Sequence, residues 1–95
     1  MAARPAMPTI AIFYGIIIQM YWRDHAPPHI HAIYQGFEAL IAIESGQVIG
    51  GRLPPNALRM VRRWVLLRKR QLLENWRRGR SREPFQVVPG PDEGE

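Results

Sequence analysis

The apolar residues of this chain change period once, at Gly50-Gly51, and that change decides the fold class. Before it lie four runs rich in β-branched and aromatic residues: "IAIFYGIIIQMYW" (10–22), "HIHAIY" (29–34), "FEALIAIE" (37–44) and "QVIGG" (47–51). Such runs read as strands, and Gly15 inside the first marks a bulge or a close packing point. After the change, "LPPNALRMVRRWVLLRKRQLLENWRRGR" has a helical repeat. At about 100° per residue, Ala57, Leu58, Val61, Trp64, Val65, Leu72 and Trp76 fall on one face. Strands followed by a helix predict an α+β domain: an antiparallel β-meander of three to four strands, then one long amphipathic C-terminal helix. Arg68 falls within the apolar stripe, so its side chain snorkels along Trp64 and Leu72 or the helix bends there.

The turns fix the register. Pro27 and Pro28 exclude a central strand, so the chain turns near 23–28. "QG" (35–36) and "SG" (45–46) are two-residue hairpin turns, because glycine accepts the positive φ they need. With Gln35-Gly36 as the turn, Tyr34 pairs with Phe37, Ala32 with Ala39 and Ile30 with Ile41 on one side of the sheet. His31 then faces Leu40 and His29 faces Ala42 on the other. The helix is expected on the Ile30 side. His29 and His31 are expected half-exposed on the opposite side, beside Glu38 and Glu44.

Ninety-five residues make one small domain, placed at 7–88, after a flexible N-terminal extension (1–6) and before a disordered acidic tail (89–95). Phe85–Val88 is a candidate short edge strand. Cysteine is absent, which excludes a disulfide framework, a thiolate zinc site and a cysteine nucleophile. The longest apolar stretch, "IAIFYGIII", is far short of the roughly twenty residues that span a bilayer, and "MAARPAMPTI" is too proline-interrupted for a signal peptide. A soluble, cytoplasmic protein is expected.

Charge is distributed unevenly. The net charge of +5 comprises −1 over residues 1–51, +10 over 52–82 and −4 over 83–95, and all but one of the 13 basic residues are arginine. Arginine grips phosphates and carboxylates through a bidentate fork. Arg59, Arg63, Arg70 and Arg77 share a narrow sector of the helix opposite its apolar face, flanked by Arg62 and Arg78, over about 27 Å. This ridge predicts binding of RNA, DNA or an acidic partner, against the plainer reading of a solvated face. Leu66 and Leu73, seven residues apart on the outward flank, suggest a helix–helix contact such as a homodimer.

All three histidines lie in "RDHAPPHIHAIY" (23–34). Three chemistries suit them. A metal could take His29 and His31, since His-x-His on a strand places two nitrogens on one face, with His25 or a carboxylate completing three ligands plus water. A metal-independent ribonuclease could use His29 and His31 as acid and base, with Asp24 or Glu44 orienting an imidazole. Or the stretch is structural, with Asp24 capping a proline-stiffened turn. No cofactor is expected, and metal is the weaker alternative.

The quoted motifs resemble those of the bacterial domain of unknown function 4160 family. They are Met7 to Ile10 (MPTI), Phe13 to Ile16, the "DHAPPHIHA" signature from Asp24 to Ala32, Gly51 to Pro54, and "QLLENW" (71–76), with Gln71 where the family carries glutamate. The likeness covers residues 7 to about 85, which makes Met7 an alternative start. The resemblance implies a small bacterial protein, often encoded beside a second small protein in a toxin–antitoxin-like pair, with this family on the toxin side. The expectation is a component of such a pair that binds a cognate protein, RNA or both through its basic helix. The alternative is a non-enzymatic nucleic-acid-binding or antitoxin-like regulator with structural histidines. The resemblance assigns no catalytic residue.

Overall fold

The computed structural model describes residues 8–93; the expected extension at 1–6 lies outside them. Five antiparallel strands form one sheet in chain order: β1 (Thr9–Phe13), β2 (Ile16–Gln19), β3 (His29–Tyr34), β4 (Phe37–Ala42) and β5 (Val48–Gly51). Two helices follow, α1 (Pro55–Leu67) and α2 (Lys69–Arg80).

The α+β class and antiparallel meander agree with the sequence, but the counts differ. The run at 10–22 is two strands, because Tyr14 (φ 51°) and Gly15 (φ 77°) form a hairpin turn with both central residues at positive φ. Gly15 is therefore a turn residue and not a bulge. Tyr14 tolerates the left-handed conformation because the turn matches the twist of the flanking strands. Gln35 (φ 48°) and Gly36 (φ 84°) repeat the geometry between β3 and β4. The predicted β3–β4 register holds at every pair, from His29↔Ala42 to Tyr34↔Phe37. The β4–β5 connection is longer than two residues, closed by Gly46 N–H donating to Ala42 O (2.8 Å) and Ala42 N–H to Gln47 O (2.9 Å).

The expected single helix is two helices, divided at Arg68 (φ −102°, ψ 19°). The hydrogen-bond ladder continues on both sides, from Arg68 N–H to Trp64 O and from Leu72 N–H to Arg68 O. The break is thus one residue in the bridge region of backbone space. Its cause is visible in the side chain. Arg68 is buried, and its guanidinium donates to Gly90 O (2.8 Å) and Glu93 O (2.6 Å). The bend brings that charged end to carbonyls of the C-terminal segment. Within the same segment, Trp64 Nε1–H donates to Pro89 O and Val88 N–H to Ile10 O. That last bond ties the expected Phe85–Val88 strand to β1, and Val88 is buried in the same core as Ile10 and Phe13, but residues 85–88 form no strand.

α1 and the Leu72 side of α2 cover the predicted side of the sheet. Phe13, Ile16, Ile18, Ile30, Ala32, Ala39 and Ile41 form one core with Ala57, Val61, Trp64, Val65 and Leu72. The Phe13 and Trp64 rings lie 5.0 Å apart. Each large apolar side chain so buried contributes about 1.5–3 kcal/mol before the entropy of ordering is counted. Leu73 is half-buried against this core while Leu66 is exposed, so the two do not make one exposed leucine stripe. Among the described residues no helix is long and apolar enough to cross a membrane.

Candidate functional site

The connection from β2 to β3 folds over the sheet face opposite the helical core and docks on the end of α2. Trp22 stacks on Phe85 (5.1 Å, 15°), and its Nε1–H donates to Glu83 O (3.0 Å). Arg23 N–H donates to Gly79 O, and an Arg80 guanidinium N–H to Asp24 O. Two prolines limit the backbone where the chain re-enters the sheet. The Ala26–Pro27 peptide is cis. This arrangement aims Asp24 inward at β3.

Asp24 Oδ2 lies 3.0 Å from His29 Nε2 and 3.0 Å from His31 Nε2. Its other oxygen, Oδ1, accepts the His25 backbone N–H at 2.8 Å. The far side of each imidazole is also fixed. His29 Nδ1 is 2.7 Å from Pro27 O, and a carbonyl can only accept, so Nδ1 carries the proton. His31 lies between two carboxylates, with Nδ1 3.1 Å from Glu38 Oε2 and Nε2 3.0 Å from Asp24 Oδ2, and either can take its ring proton. A neutral His29 so fixed offers a lone pair at Nε2, and so does a neutral His31 that gives its proton to Glu38. Two such nitrogens and one carboxylate oxygen therefore converge on a common point, all three within 4.8 Å of one another.

The site is covered. His29 is 4% exposed and His31 8%. Tyr21 lies over His31 (4.3 Å between ring centres), and Trp76 of α2 over His29 (5.3 Å). The expected half-exposed histidines are thus buried, because the 20–28 connection and Trp76 close over a face that strand alternation alone leaves open. Burial raises the Asp24 carboxyl, but the hydrogen bonds from His31 and the His25 amide outweigh it and hold it below its ordinary range. Burial and the charges of Glu38 and Asp24 push the Tyr21 phenol up, so it stays neutral.

The structure brings together Asp24, His29 and His31, with Glu38 behind His31. It does not bring in Glu44, whose carboxylate pairs with Lys69 at 2.9 Å. His25 is exposed, and its ring is not among the converging groups. The triad needs a carboxylate that the His-x-His pattern does not name. Asp24 carries the only signal available in sequence, an aspartate five residues before the first strand histidine.

The arginine ridge divides in two. Arg77 and Arg78 are ion-paired with Glu74 and Glu83, with the Arg77–Glu74 pair at 2.8 Å. Hydrogen bonds and charge from Arg77 hold both carboxyls below their usual range, and the same contacts raise Arg77 itself. Arg59, Arg62 and Arg63 are exposed on α1 without an ion pair among the described residues; Arg59 donates only to Asn56. These three line a shallow groove of about 450 Å³ with Pro55, Leu58 and Leu66. Arg70, also exposed and without an ion pair among the described residues, lies beyond the bend and outside that groove.

No curated protein and no solved structure matches the chain. A family model does, over residues 15–77, from the first hairpin turn to the second half of α2. That span contains Asp24, His29, His31 and all three groove arginines. The chain belongs to the DUF4160 family, described as a domain of unknown function.

Proposed function

We propose that this protein binds the phosphate backbone of a nucleic acid through the Arg59–Arg62–Arg63 face of α1. One observation carries the reading: these three guanidiniums are exposed without a neighbouring carboxylate, whereas Arg77 and Arg78 are neutralised within the fold. Fold stability favours acid–base pairs at i,i+4, and α1 has no acidic residue. Arginines left without such pairs are suited to an anionic partner, which each can grip bidentately. The buried histidines do not support a ribonuclease role for His29 and His31, because an acid/base pair must come within hydrogen-bond reach of its substrate.

The test is a salt titration. Three phosphate contacts give a slope of about −2.7 in log affinity against log salt on duplex DNA, a loss of about 40-fold between 50 and 200 mM. Fluorescence anisotropy of a labelled 20-base-pair duplex, and of a single-stranded RNA of equal charge, measures it. Arg62→Ala lowers the slope by about 0.9. Binding that is absent at 50 mM, or unchanged in slope by that variant, refutes the proposal.

The apolar floor of the groove, Leu58 and Leu66, favours a second reading in which an acidic partner protein seats there. That reading fits the toxin–antitoxin-like pairing implied by the resemblance. Its mark is a partner whose binding is lost in Leu66→Glu but retained in Arg70→Ala.

A further inference from the structure

We infer that Asp24, His29 and His31 form a binding site for one divalent transition-metal ion of the zinc class. The inference is independent of the nucleic-acid reading and rests on different residues.

The geometry suits a cation at the point of convergence. Pro27 O takes the His29 Nδ1 proton, so the His29 Nε2 lone pair and Asp24 Oδ2 meet with like electrostatic sign. His31 escapes this, since its Nε2 is aligned for a hydrogen bond to Asp24 and can donate it. His29 does not. His29 Nε2 is buried and has no hydrogen-bond partner even though Asp24 Oδ2 is only 3.0 Å away, because the two are not aligned for one. A buried nitrogen in that position is costly unless something else satisfies it. An ion sits off the line between two ligand atoms, so it accepts what a straight hydrogen bond cannot.

The two distances to the carboxylate suit this occupant. Ligand atoms around a tetrahedral zinc, with bonds of about 2.0–2.1 Å, lie about 3.3 Å apart. Asp24 Oδ2 is within a few tenths of an ångström of that from each nitrogen. Both imidazoles already have the outer contacts that metal-bound histidines use, one to a backbone carbonyl and one to a carboxylate. Two neutral imidazoles and one carboxylate form a nitrogen–oxygen set for zinc, cobalt, nickel or ferrous iron, and not the all-oxygen set of calcium or magnesium. Three protein ligands leave a fourth position for water. The ion would fasten the 20–28 connection, through Asp24, to β3.

The test uses the untagged full chain, stripped with a chelator and titrated with Zn²⁺ alone by calorimetry. A Co²⁺ titration read by visible absorption follows. We expect one equivalent of either ion and a Co²⁺ spectrum of low coordination number. His29→Ala lowers Zn²⁺ affinity by more than about 100-fold, and Glu38→Gln, at a half-exposed outer contact, by about 10–100-fold. His25→Ala leaves affinity unchanged. Circular dichroism confirms that each variant is folded. If His29→Ala does not fold, Glu38→Gln and His25→Ala decide. No uptake by the wild type overturns the site, as does binding that survives Glu38→Gln unchanged or is lost in His25→Ala.

Discussion

Arg68→Met removes the guanidinium that holds the C-terminal segment and keeps most of the apolar stem. In the wild type that guanidinium donates to Gly90 O and Glu93 O from a buried position. A hydrogen bond from a charged donor contributes about 1.5–3 kcal/mol. Two would be worth roughly 3–6 kcal/mol, but the wild type also bears the cost of keeping the charge out of water, which the variant recovers in part. The net loss should be about 3 kcal/mol, a large share of the roughly 5–15 kcal/mol available to a domain of this size. The melting temperature falls by about 12–24 °C on the usual scaling for small domains. Urea unfolding followed by tryptophan fluorescence measures the loss, since Trp64 donates to Pro89 O in the same segment. Arg68→Lys should fall between the two, because one ammonium keeps the charge without the planar fork. A loss under about 1 kcal/mol for Arg68→Met, with the transition still cooperative, would refute the reasoning.

Three more outcomes follow from contacts described here or beside them. Gly51→Ala should cost about 3 kcal/mol by chemical denaturation, since Gly51 has φ +68° and an added Cβ would sit 2.1 Å from Glu38 O. Asn75→Ala should cost about 2 kcal/mol by the same measurement. Buried Asn75 exchanges both amide hydrogen bonds with the Gln86 backbone at 2.8 Å, and water recovers only part of that loss because Gln86 is exposed. The third concerns pH. Asp24 has a folded pKa below its unfolded value, so its contribution to stability is present above the ordinary aspartate range and is lost as pH falls through the folded value. Stability of Asp24→Asn measured from pH 6 to pH 2 should therefore decline less steeply than that of the wild type.

Much of the fold can be read from particular residues. Gln35-Gly36 specifies a two-residue turn, and with a period of two that turn dictates every β3–β4 partner. Tyr14-Gly15 carries the same signal in weaker form, since tyrosine rarely takes positive φ and the flanking isoleucines read as one strand. The helix division is less legible. An arginine on the apolar face signals a bend or a snorkelling side chain, but the carbonyls that receive it are 22 and 25 residues away. For the histidine site, local alternation places His29 and His31 on the second face correctly. It says nothing of the cover supplied by Tyr21 and Trp76, nor of Asp24 turning inward, because both depend on docking the 20–28 connection against α2. The ridge on the helical wheel carries ion pairs at its C-terminal end for a related reason. Glu83 lies past the helix and pairs back onto Arg77 and Arg78.

The strand order also bears on how the chain folds. Because neighbours in the sheet are neighbours in sequence, β1 to β5 can pair by closing only short loops. Such low contact order places folding on the order of milliseconds. The C-terminal segment is the exception: Val88 N–H reaches Ile10 O across 78 residues, and Trp64 and Arg68 reach Pro89 and Gly90 across 25 and 22. This segment thus closes the longest loop, over a sheet and helices that precede it in the chain. It is the natural unit for partial opening of the native state. In a native-state hydrogen-exchange experiment the Val88 amide should exchange through a smaller opening than the amides of β3.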